Sequence, residues 1–172
     1  MIETVISSRK RNIGAIEVRR VLPFAKRRSV GPIVFVDDFG PIEIVTDKSM
    51  DVLPHPPIGL ATVTYLFEGN MTHRDNIGSV QMIRPGELNW MTAGSGIVHS
   101  ERVSGSGNDP GDSLAGLQTW VALPESEEET DPAFAHYGAS GLPLIEADGA
   151  TVIVILGTYG GCDSPVKTIG SP

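Results

Sequence analysis

The chain has 172 residues, 40% of them hydrophobic and 20% charged, with a net charge of −8. That suits one soluble domain with a sizeable core, and no apolar run is long enough to span a bilayer. Twenty glycines and thirteen prolines cut the chain into short segments, which favours an all-β design over long helices.

The start, Met1-Ile2-Glu3-Thr4, lacks a basic segment followed by an apolar one, so no secretory signal is expected. The single Cys162 has no cysteine to pair with inside the chain and no Cys/His cluster beside it. Both features favour a reducing, cytoplasmic location. Residues 1–28 carry eight basic side chains against Glu3 and Glu17, and the remainder is acidic. A basic end of this kind can touch nucleic acid phosphates. With no helix-turn-helix, zinc-finger or RNP-like pattern, pairing with the acidic body is the simpler expectation. The run Glu125-Ser126-Glu127-Glu128-Glu129 reads as a solvated loop.

In chain order, Ile13 to Leu22 alternates apolar and charged residues, as a half-exposed strand does. After the Gly31-Pro32 turn, Ile33 to Phe39 reads as a buried strand, broken at Asp37-Asp38-Phe39-Gly40-Pro41. Residues 42–54 read as an irregular loop with one short polar strand at best. Ala61 to Phe67 is rich in β-branched and aromatic residues and is the clearest strand of the chain. Turns at Glu68-Gly69-Asn70, 75–79, Pro85-Gly86-Glu87 and 93–96 then separate strands at Met71–Arg74, Val80–Ile83, Leu88–Met91 and Ile97–Glu101. Such spacing predicts an antiparallel sandwich or barrel. Ser104 to Ser113 reads as a loop, Leu117 to Leu123 as a strand, 131–137 as one helical turn and Thr151 to Leu156 as a last strand. The segment from Gly160 to Pro172 reads as a linker.

Two short stretches carry candidate chemistry. His99-Ser100-Glu101 places an imidazole and a carboxylate on one side of a strand, because side chains repeat every second residue. His55-Pro56-Pro57 has the same i, i+2 spacing, with a proline as its second member. Read alone, His99-x-Glu101 is equally a polar strand face, and His55 a loop histidine.

The runs His55-Pro56-Pro57-Ile58-Gly59-Leu60-Ala61-Thr62-Val63-Thr64-Tyr65, His73-Arg74-Asp75 and Trp90-Met91-Thr92-Ala93-Gly94-Ser95-Gly96-Ile97-Val98-His99-Ser100-Glu101 closely resemble the pirin family. Arg28-Ser29-Val30-Gly31-Pro32, Leu117 to Pro124 and Ser164 to Thr168 match as well, so the likeness covers nearly the whole chain. It implies a cupin fold, a double-sheet jelly-roll barrel. It also implies iron(II) or another divalent metal held by His-x-His and His-x-Glu pairs. Position by position, His55, His99 and Glu101 match three of those ligands, and Pro57 stands where the fourth, a histidine, is expected.

A proline side chain offers no lone pair. If a four-ligand site is worth about 10–16 kcal/mol, one ligand averages about 3–4 kcal/mol, or two to three decades of affinity. Two histidines and a carboxylate remain, the facial set of many non-haem iron oxygenases. In the family His73 lies outside the ligand set, where it is expected to orient a neighbour. His136 is expected to be structural, and Trp90 and Trp120 to be core or pocket residues.

The resemblance implies oxidative cleavage of a quercetin-like flavonol, with no protein acid or base assigned apart from the ligands. The alternatives are a non-catalytic, transcription co-regulator-like module or a degenerate cupin without metal. It further implies residues 1–156 as an N-terminal cupin domain and 157–172 as a tail like the linker to a second cupin. The face normally packed on that second domain is then expected to associate as a homodimer or with a protein partner.

Overall fold

The computed structural model describes residues 4–13, 16–44, 51–103, 108–147 and 149–170. Its centre is the strand that the sequence marks most clearly, Leu60–Glu68. Number the strands in chain order: β1 (Arg9–Ile13), β2 (Ile16–Leu22), β3 (Ile33–Glu43), β4 (Val52–His55) and β5 (Leu60–Glu68). Then come β6 (Met71–Asp75), β7 (Val80–Ile83), β8 (Leu88–Thr92), β9 (His99–Arg102), β10 (Ser113–Ala122) and β11 (Ala133–Tyr137). The chain ends with two hairpins, β12 (Leu144–Ala147) with β13 (Ala150–Ile153) and β14 (Thr158–Tyr159) with β15 (Cys162–Asp163).

A seven-stranded antiparallel sheet runs β1-β2-β3-β10-β5-β8-β11, and a four-stranded sheet runs β4-β9-β6-β7. Their inner faces bury Leu66, Ile83, Met91 and Leu114 almost completely, while Leu88 packs with Val63, Tyr65 and Trp90 on the other face of the larger sheet. This is the all-β, cupin-type double-sheet barrel that the strand spacing and the family likeness both predict. No helix among the described residues is long and apolar enough to cross a membrane.

Several elements differ from the sequence reading. The acidic stretch at Asp37-Asp38 does not end β3. Arg20 and Arg19 of β2 stand directly opposite and neutralise it, with Arg20 forked onto Asp37 by bonds of 2.8 Å to each carboxylate oxygen. Beyond them Gly40, at φ 87°, lets the strand pass close to the Leu114–Ala115 backbone, beside a register irregularity. Inside the predicted 42–54 loop, Val52–His55 forms β4, while residues 45–50 lie outside the described set. Residues 133–137 are no helical turn; they pair with β8 as an edge strand. The strand predicted at Thr151–Leu156 is a hairpin arm ending at Ile153.

The segment read as a linker packs on the domain. Val166 is buried, with Ile155, Leu156 and Ile169 packed around the same cluster. Residues 104–107 of the predicted Ser104–Ser113 loop and the last two residues lie outside the described set. The basic N-terminal end pairs as the simpler expectation had it: Lys10 with Glu17, Arg19 with Asp38 and Arg20 with Asp37.

Two positions test this packing. A Cβ at Gly116 would stand 2.5 Å from the Tyr65 carbonyl oxygen and 2.6 Å from Phe39 Cζ. Gly116→Ala is therefore expected to cost about 1–3 kcal/mol through overpacking. Leu66→Ala opens a void in the core and is expected to cost about 2–5 kcal/mol. Urea unfolding of both variants measures this, and a loss below about 0.5 kcal/mol at either site, the scale of an ordinary surface change, contradicts the packing described.

Candidate metal centre

Strand β9 brings the candidate residues together because it is paired on both sides. On one side His55 of β4 stands opposite His99, and on the other His73 of β6 stands opposite Glu101. His99 and Glu101 are two residues apart on one strand, so both side chains point to the same face. The β4 pairing is irregular. Val52 opposes Glu101 and His55 opposes His99, three residues on β4 against two on β9. That extra residue is a bulge at Leu53-Pro54, where Pro54 has no N–H to give the ladder. The bulge turns His55, rather than Pro54, toward His99.

The result is a row of three imidazoles. His55 and His99 have their Nε2 atoms 3.0 Å apart, and His73 lies on the other side of His99 with ring centroids 5.3 Å apart. His55 Nδ1 is 3.0 Å from the Leu53 carbonyl oxygen. A carbonyl only accepts, so His55 carries its proton on Nδ1 and presents a bare Nε2 to His99. His73 Nε2 lies 2.9 Å from Asp75 Oδ2, which places a proton on that nitrogen. Its ring stacks on Phe134 at 4.3 Å. His73, His99 and Glu101 each offer a ligand atom within 4.8 Å of the others; His55 is outside that group of three but closest to His99.

Charge at the site follows burial. His99 is 3% exposed, and desolvation, reinforced by His55 and His73 and opposed by Asp75, lowers its pKa to about 3. It is therefore neutral at physiological pH. Its Nδ1 is buried without a hydrogen-bond partner. Loss of hydration pushes the Glu101 carboxyl above its ordinary value, against a 3.0 Å hydrogen bond from Thr64 and the nearby His73 and His55. Burial also acts to raise Asp75, but hydrogen bonds from His73 and Ser79 outweigh it and leave that carboxyl below its ordinary value.

A cavity of about 780 Å³ opens onto His55, His99 and Glu101, and His73 is not among its lining residues. Its walls include Phe35 and Trp120, stacked at 4.2 Å, and Arg20, whose guanidinium sits 4.4 Å over the Phe35 ring. Trp120 is thus a pocket residue, whereas Trp90 is core, bonded through Nε1 to Thr92.

Pro57 lies past the end of β4, so the i, i+2 strand relation read for His55 and Pro57 does not hold, although Pro57 lines the same cavity. The family likeness set His73 outside the ligand set, and the structure places it beside His99. The His-x-Asp spacing of His73 and Asp75, on one strand face, was the available signal. His136 bonds Asn89 through Nδ1 at 2.8 Å, away from the cluster.

The donor set suits a divalent ion. Two ligand nitrogens about 2.1 Å from an ion and at right angles to it lie about 3.0 Å apart, the separation found between His55 and His99. The bond from His55 Nδ1 to a carbonyl is the outer contact that metal-bound histidines ordinarily make.

A double-sheet barrel with imidazoles and a carboxylate converging at its cavity defines a cupin-type protein with a candidate metal centre. Residues 15–121 match the family model described as Pirin. The chain is 50% identical over 169 residues to a pirin-like protein of Caulobacter vibrioides, covering 96% of this chain and 58% of that protein. It is 35% identical over 157 residues to pirin of Rattus norvegicus, covering 91% and 50%. Among solved structures, a quercetin 2,3-dioxygenase from Acinetobacter baumannii superposes with a TM-score of 0.85 at 39% identity, over 94% of this chain and 52% of that one. The chain belongs to the pirin family. It spans about half the length of the curated relatives it matches.

The depressed His99 value has a consequence for stability. In the unfolded chain a histidine titrates near 6.5, and in the folded metal-free protein His99 titrates at about 3. Between those values the unfolded state binds the extra proton, so His99 adds stability above pH 6.5 that is lost as pH falls toward 3. Glu101, raised in the fold, acts in the opposite sense. Comparing wild type with His99→Asn in chelator isolates the His99 contribution. The stability gap is expected to shrink by up to about 1.4 kcal/mol per pH unit on acidification from pH 6.5. A gap independent of pH between 7 and 5 contradicts the assignment.

Proposed function

We propose that the chain is a metal-binding pirin domain whose divalent ion is held by His55, His99 and Glu101 at the cavity. The observation that carries this is the His55–His99 pair, with Nε2 atoms 3.0 Å apart and the His55 proton committed to the Leu53 carbonyl. Metal ligands must be deprotonated, and the neutrality of His99 meets that need. His55 contacts the cavity and His73 does not, so an ion reachable by substrate sits on the His55 side. His73, tied to Asp75 and stacked on Phe134, backs His99 from within.

The activity we assign is oxidation of a flat, oxygen-rich aromatic of the flavonol class, as the name of the similar Acinetobacter protein suggests. Bound metal, iron(II) or another divalent ion, would supply Lewis acidity and, where redox-active, a route for electrons between substrate and dioxygen. The protein's own part is to hold the ion through three side chains and to enclose an aromatic ring between apolar walls that include Phe35 and Trp120. Pro57 occupies the place of a fourth ligand and leaves the ion more open and more weakly held.

Metal analysis after anaerobic loading with iron(II) tests this reading. His99→Ala is expected to lose nearly all metal, and His55→Ala to lose more than His73→Ala; the reverse order would move the ion to the inner side. Pro57→His is expected to bind about two to three decades more tightly. Equal, near-stoichiometric metal in wild type and Pro57→His contradicts the account of Pro57. Loaded protein that consumes neither quercetin nor oxygen rules out the dioxygenase activity.

A further inference from the structure

We propose that Gln118 and Thr64 form a hydrogen-bond relay that fixes the Glu101 carboxylate for metal binding, which makes both of them positioning residues. The inference rests on the metal reading above. Thr64 of β5 and Gln118 of β10 are direct cross-strand partners in the seven-stranded sheet, whereas Glu101 belongs to the four-stranded sheet. The relay therefore crosses the barrel interior. Thr64 Oγ1 lies 3.0 Å from Glu101 Oε1 and 2.8 Å from Gln118 Oε1.

Counting protons gives the relay a direction. Thr64 has one hydroxyl proton, and a carboxylate that holds a cation must be ionised and can only accept. The proton therefore goes to Glu101. The amide at 2.8 Å must then turn its NH₂ toward Thr64, a rotation that exchanges two nearly isosteric groups. Gln118 donates to Thr64, Thr64 donates to Glu101, and all three groups are satisfied. Thr64 is 3% exposed, so bulk water has little access to replace either bond. It sits on a strand paired on both sides, by β10 and β8, and its β-branched side chain has few rotamers. A rigid donor on one carboxylate oxygen fixes the plane of the other. Thr64 engages Oε1, and the ion would take the other oxygen. Gln118 also lines the cavity, so the outer end of the relay meets whatever the cavity holds.

Competition with a chromogenic chelator, using zinc and iron(II) as probes on the whole chain, tests the relay. Thr64→Val keeps the shape and removes the donor, and is expected to weaken metal binding by about 10- to 100-fold. Thr64→Ser keeps the hydroxyl and is expected to recover most of that loss, and Gln118→Met to fall between Val and wild type. A packing role predicts the opposite order, because valine fills the threonine site and serine leaves a void. Wild-type affinity in Thr64→Val, or Ser weaker than Val, overturns the relay while leaving the metal site standing. A wild-type protein that takes up no metal overturns both. Metal-free melting curves establish that each variant is folded; if Thr64→Val does not fold, Gln118→Met decides, with unchanged affinity overturning the proposal.

Discussion

Strand β9 is held from both sides at once, and the chemistry of the site depends on the register of those two pairings. His55 faces His99 across one edge and His73 faces Glu101 across the other. A slip of one residue would turn His99 and Glu101 to the opposite face and bring Ser100 inward. Beyond Glu101, the register is fixed by Asp51. Its fully buried carboxylate accepts from Arg102 Nη1 at 3.1 Å and from the Val103 N–H at 2.9 Å. Since removing one partner of a buried pair costs several kcal/mol, the clamp resists slippage more strongly than ladder bonds alone.

The opposite sheet supplies the remaining constraints. Thr64, in the middle of that sheet, reaches Glu101 across the interior, so the two sheets meet at a polar contact as well as at an apolar core. The cavity beside this contact survives because its wall is stiffened. Asp37 is 1% exposed and takes both bonds of the Arg20 fork, the guanidinium lies over Phe35, and Phe35 stacks on Trp120. Planar groups locked face to face cannot collapse inward as flexible aliphatic side chains can. A space of about 780 Å³ therefore persists next to the His55 and His99 imidazoles. Low polarity there pushes the His99 pKa down and the Glu101 pKa up.

How legible this was from sequence depends on the range of the interaction. Strand β5, the turn at Gly69 and the His99/Glu101 pair follow from local patterns of period two and turn chemistry, and the structure has them where the sequence puts them. The family-specific runs supply the barrel. What sequence periodicity missed depends on partners distant in the chain. Asp37-Asp38 reads as a breaker until Arg19 and Arg20 stand opposite. Residues 133–137 read as a helical turn until the open edge of β8 offers them hydrogen bonds. The bulge that aims His55 arises at Pro54, a residue whose message in sequence is only that a ladder bond is missing. His73 enters the cluster through cross-strand register with Glu101; its spacing to Asp75 hints at a role, and the pairing supplies the place.

Pro57 fits the fold at this position through its backbone alone. Its backbone contribution is a carbonyl, which accepts the Ile97 N–H at 3.2 Å and ties the 56–58 segment to the approach of β9. Proline keeps that carbonyl and lacks only an N–H, and position 57 lies outside the strand ladder where an N–H is required. The loop can thus exchange a histidine for a proline without disturbing the strand that carries His99 and Glu101. The family likeness implies an imidazole at this place; here the cavity gains an apolar ring in its stead. That moves the local balance toward apolar contact, while His55, His99 and Glu101 keep their places through β9, the β4 bulge and the Thr64 hydrogen bond.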